Sequence, residues 1–119
     1  MMTVLFLFFV LPSATAGGDC PRNVAPEICA AAAQFLAGAS PANSRRIHID
    51  EIGMIQVYLH VTKASSKLQK NLSRLGFRTD LFNAKQRIFQ GWAPSREIQK
   101  IATLRDVVRI TLPRYAVLR

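Results

Sequence analysis

Between Ile55 and Leu112 the chain repeats one grammar twice: a two-residue alternation, a helical stripe, and a second alternation. In IQVYLHV, Ile55, Val57, Leu59 and Val61 alternate with Gln56, Tyr58 and His60, which gives a strand with one apolar face. Gly53 marks a turn before it, and Ile47 to Ile49 is a short lead-in strand candidate. Ser65 or Ser66 is placed to cap a helix whose buried stripe is Leu68, Leu72 and Leu75, and Gly76 ends it in the left-handed conformation. A strand from Phe77 to Phe82 follows, and Asn83-Ala84-Lys85 turns the chain into a third strand from Arg87 to Ala93. Pro94 stops that strand, and Ser95 is expected to cap a second helix to about Leu104 with Ile98, Ile101 and Ala102 inward. Val107 to Leu112 forms the last strand, closed by Pro113.

Two strand-helix-strand units joined by a hairpin fold, under the right-handed crossover rule, into one antiparallel sheet of order 4-1-3-2. The expected class is α+β, a ferredoxin-like βαββαβ plait with two helices on one face. Only one sheet face is then covered. Phe89, Ala93, Val108, Ile110 and Leu112 join the apolar residues of strand one beneath the helices. Gln56, Tyr58, His60, Ile88, Gln90, Trp92, Arg109 and Thr111 fall on the opposite side. Tyr58 and Trp92 lie on central strands, so an exposed aromatic cluster with polar neighbours is expected there, a composition suited to an interface. The alternative is that Phe35 and Leu36 fold back from the N-terminal arm and cover this face.

A chain of 119 residues has room for a single domain. Residues 1 to 16, MMTVLFLFFVLPSATA, read as a signal peptide. An apolar run from Val4 to Leu11 leads to Ala14 and Ala16, with cleavage expected after Ala16. That run falls short of the ~20 apolar residues a membrane span needs. Its first residues carry no Lys or Arg, which leaves a mis-assigned start or a short anchor as alternatives. Residues 17 to 45 read as an N-terminal arm, with a helix candidate from Pro26 to Leu36 and a linker from Gly38 to Ser44. Residues 46 to 119 then hold the folded unit and a C-terminal tail.

Cys20 and Cys29 lie just past the leader, and in an oxidising compartment they are expected to form one local disulfide worth about 2 to 3 kcal/mol. Two thiols without nearby partners make half a zinc shell, and their spacing is not that of a redox pair. Neither metal nor cofactor is expected.

Sixteen Lys and Arg stand against seven Asp and Glu, with none of these charges in the leader. Lys67, Lys70 and Arg74 line one side of the first helix opposite its leucines, as a solvated face would. The basic surplus alone suits nucleic acid, anionic lipid or an acidic protein. Aromatics on strands one and three also describe RNA-recognition domains, but QRIFQGWAP lacks their signature and export removes the partner. Enzyme chemistry lacks parts: His48 and His60 are the only histidines, and neither sits in a metalloprotease or nucleophile motif. Asp50 and Glu51 precede Gly53 and read as turn chemistry.

The stretch from Ile55 to Ala116, with IQVYLHV, SSKLQKNLSRLG, RIFQGWAP, SREIQKIATL and VVRITLPRYA, resembles the propeptide and peptidase-inhibitor module found ahead of bacterial subtilisin-type serine proteases. The resemblance implies a plait whose open sheet packs on a protease and whose tail enters the substrate cleft, chaperoning folding and inhibiting activity. By position it implies Tyr58, Gln90, Trp92 and Arg109 as sheet-face contacts, with Tyr115 to Arg119, Tyr115 and Leu118 included, as the cleft-binding tail; His60, on the same face, joins the candidate partner-binding set. No Asp, His and Ser protease domain follows in this sequence. The expectation is therefore action in trans, or a truncated part of a larger secreted precursor. A rival reading is a small-molecule or regulatory plait that forms a homodimer.

Overall fold

The computed structural model describes residues 20–39 and 47–113. It is an α+β structure with one sheet whose four strands, numbered along the chain, lie in the order 2-3-1-4, the expected order read from the opposite edge. In chain order the elements are α1 (Pro26–Leu36), β1 (Met54–Val61), α2 (Ser66–Arg74), β2 (Arg78–Asn83), β3 (Ile88–Pro94), a 3-10 turn (Ser95–Glu97), α3 (Ile98–Ala102) and β4 (Val107–Thr111). The β1–β3, β1–β4 and β2–β3 pairings are all antiparallel. The chain passes from β1 through α2 to β2, and from β3 through α3 to β4. Each path joins parallel strands and skips over one neighbour.

The inward residues of β1 alternate without a fault: Ile55, Val57 and Leu59 are fully buried and Val61 nearly so. They share one apolar cluster with Leu68 and Leu72 of α2, and with Ile98, Ile101 and Ala102 of α3. Sharp caps at both ends fix the length of α2. Ser65 Oγ accepts the Leu68 N–H at 3.1 Å. At the other end Gly76 has φ +87°, and Phe77 N–H reaches the Leu72 carbonyl while Gly76 N–H reaches that of Ser73. This is a Schellman stop, and it leaves Phe77 buried where the chain enters β2.

Three expectations change on contact with the structure. Ser95 does not cap a helix: its buried hydroxyl donates to the Gly53 carbonyl at 2.6 Å, and the chain makes a 3-10 turn before α3. The helix itself is short and ends at Ala102, whose carbonyl is taken by Asn23 Nδ2 at 2.9 Å. Val108 does not point beneath the helices. In β4, His60 opposes Arg109 but Val61 opposes Val107, so Val108 is the extra residue of a bulge and is 44% exposed. Val107 takes the buried place instead.

The third change concerns residues 20 to 36, set apart above as an arm. Val24, Ile28 and Ala32 belong to the same buried cluster as the sheet, with Ile28 completely enclosed. Val24 bridges in parallel to Ile110 of β4, and α1 lies against the 3-10 turn. Phe35 stacks over Gly53 and packs on the helix-side cluster, so it does not cover the opposite sheet face. The arm is a third covering helix on the side already covered. Cys20 and Cys29 are joined by a disulfide, which suits an oxidising surrounding.

Candidate functional site

The face turned away from the helices is built by the other half of the alternation. In β1 and β3, Gln56 lies opposite Trp92, Tyr58 opposite Gln90, and His60 opposite Ile88. On the other flank of β1, Tyr58 lies opposite Thr111 and His60 opposite Arg109. The sequence-derived face residues Tyr58, His60, Gln90, Trp92 and Arg109 are therefore neighbours in one layer. All are half-buried except Arg109, which is exposed. No helix among the described residues buries its apolar stripe against them.

The layer has a polar end and an aromatic end. At the polar end His60 Nε2 and Thr111 Oγ1 are 2.9 Å apart, a diagonal contact between adjacent strands. Partial burial depresses the His60 pKa below its ordinary value, and the Arg109 charge pushes it the same way. Both effects favour the neutral imidazole over the charged one. Tyr58, His60, Ile88, Arg109 and Thr111 line a shallow trough that Gln86 and Leu112 close at its rim.

At the aromatic end the Trp92 indole N–H donates to Asp80 Oδ2 at 3.0 Å. The Arg78 guanidinium lies 5.5 Å from the same ring's centre, within cation-π range. Arg78 is the cross-strand partner of Trp92. The register skips one residue between Thr79 and Leu81, and that residue is Asp80. The bulge is what brings its carboxylate to the indole. Neither Arg78 nor Asp80 is marked by sequence alternation, because a bulge reverses the parity that alternation relies on. Counted back from the turn without the bulge, the hairpin would set Thr79 across from Trp92, so a regular register points to neither residue.

Trp92 is thus restrained on two sides by its own chain. A ring engaged by a guanidinium and a carboxylate of its own chain is not a bare stacking platform, which counts against the base-stacking use that RNA-recognition sheets make of such residues. Tyr115 and Leu118 lie outside the described residues. Among the described residues no helix is long and apolar enough to cross a membrane. Likewise, no three His, Cys, Asp or Glu side chains among them gather as metal ligands. Comparison with models of known protein families, with curated proteins and with solved structures finds no match to this chain.

Proposed function

We propose that this chain is an exported, non-enzymatic module that binds another protein through the open face of a ferredoxin-like plait. The observation that carries the reading is the register itself: it sets Tyr58, Gln90, Trp92, His60 and Arg109 side by side on a sheet layer that the described helices leave uncovered. The interleaved β1-α2-β2 and β3-α3-β4 crossovers support the plait. The sequence resemblance to subtilisin propeptides suggests the partner class, a subtilisin-like serine protease that the module inhibits or helps to fold. Residues from Tyr115 to the end would serve as the cleft-entering tail.

The experiment is direct. Purified protein is mixed with a panel of subtilisin-like proteases, and complex formation is followed by size exclusion together with residual peptidase activity. Co-elution and inhibition with at least one protease, both weakened by Trp92→Ala and by Arg109→Glu, are the expected results. Unchanged activity with no complex across the panel counts against the protease reading. A homodimer that buries Trp92 on its own would favour the dimeric regulatory module instead.

A further inference from the structure

The two outer edges of the sheet are treated differently. β2 protects itself, because the Asp80 bulge interrupts its ladder and Arg78 and Asp80 put charge along it. β4, VVRIT, has one charge and an apolar run, and its outer backbone groups are met by the segment just after Cys20. Ile110 N–H donates to the Asn23 carbonyl at 2.7 Å, and Ala25 N–H donates to the Ile110 carbonyl at 3.0 Å. Asn23 also holds the Ala102 carbonyl, and Val24 between them is buried. The segment is closed into a ring by the Cys20–Cys29 disulfide, whose second half is anchored in α1 next to the enclosed Ile28. Cys20 Sγ lies 3.8 Å from the Val24 carbonyl oxygen, so the disulfide sits beside the covering segment itself.

We propose that the Cys20–Cys29 disulfide is a reducible clasp that holds residues 23 to 25 over the outer edge of β4, so that the redox state of this pair decides whether that edge is covered. Cys20 is the exposed partner and Cys29 the half-buried one. The open side therefore admits a thiolate of an external dithiol onto Cys20 Sγ. The S–S bond breaks with Cys29 leaving as thiolate, and the second thiol of the reductant then displaces Cys20. The protein gains two electrons as two thiols, and the reductant leaves as its own disulfide. α1 stays docked by Ile28 and Ala32. What is lost is the constraint on the short loop before it, and with it the pairing to Ile110, a row of backbone donors and acceptors then open to an extended strand.

Amide hydrogen exchange on the full chain tests this, comparing the oxidised protein, the same protein reduced with dithiothreitol, and the Cys20→Ser/Cys29→Ser variant. Opening of the ring is expected to speed exchange of the Ala25 and Ile110 amides about a hundredfold, the ratio that a loop of this length contributes. The protected amides of the β1–β3 ladder should keep their rates. Equal rates at Ala25 and Ile110 in oxidised and reduced protein would overturn the proposal. So would a uniform loss of protection across β1 and β3, since the bridge would then be a general staple. Should the double variant fail to fold, reduction of the folded protein gives the same readout.

Discussion

At the scale of single residues, two positions show how the backbone constrains chemistry. Gly91 sits within Q-G-W-A-P and faces the helix side with Phe89 and Ala93. A Cβ there would run into the Arg78 carbonyl oxygen and come 2.8 Å from the Phe77 ring. The glycine is required because the bulged β2 passes too close for any side chain. Gly91→Ala is therefore expected to cost about 1 to 3 kcal/mol in a urea melt, the range for forcing atoms into a filled core. A Gly91→Ala variant as stable as the parent would mean that β2 can slide away. His60 carries the second prediction. Its pKa is lower in the folded chain than in the unfolded one, so on acidification the unfolded state takes up its proton first. The contribution is thus a loss of stability as pH falls below the ordinary histidine range, and none above it. Between about pH 8 and about pH 5, His60→Gln should lose less stability than the parent, with Gln keeping a polar contact to Thr111. Identical pH profiles from thermal melts would refute the assignment.

At the scale of elements, the hairpins and caps are readable because each rests on a local code. Leu68 and Leu72 recur at helical spacing, and Gly76 stops α2 with the left-handed turn that its type suggests. Ser65→Ala should remove the Leu68 cap bond and lower stability by about 1 kcal/mol in the same melts. β1 needs only its alternation. The open face follows from the same parity, which is why eight of its side chains, from Gln56 to Thr111, can be named from sequence alone. What alternation cannot show is a bulge. A strand with one extra residue keeps its composition while exchanging its faces, and nothing in VVRIT says that Val107 rather than Val108 is inward. The cost of substitution at the two positions separates them: Val107→Ala should lose about 2 kcal/mol as buried methyls are removed, whereas Val108→Ala at its exposed site should stay within about 0.5 kcal/mol. The reverse ranking would restore the regular strand. Ser95 misleads for a related reason. A serine after Pro94 has the composition of a cap, but its hydroxyl is claimed by the Gly53 carbonyl, a contact 42 positions away that no local pattern encodes.

At the scale of the whole molecule, the question is why a plait of this size recruits the segment before it. α2 and α3 are short, and α3 spans only Ile98–Ala102, so two such helices leave part of the sheet side open. α1 fills that part. Its Ala-rich surface allows close approach, Ile28 enters the common cluster completely, and Phe35 lies over the turn at Gly53. A small domain gains disproportionately from such an addition, since the fraction of surface it can bury rises with chain length. The consequence is thermodynamic: α1 and the sheet should unfold as one unit, although 17 residues, 37 to 53, lie between α1 and β1 in the sequence. Ile28→Ala on α1 and Ile101→Ala on α3 both empty fully enclosed sites, and each is expected to cost about 2 to 5 kcal/mol. If the two belong to one cooperative core, either variant shifts a single transition, and far-ultraviolet circular dichroism and Trp92 fluorescence keep the same midpoint. If α1 is only an appendage, Ile28→Ala leaves the Trp92 transition where it was and splits off an earlier helical one. That second result would return the folded unit to the part of the chain that begins after residue 45.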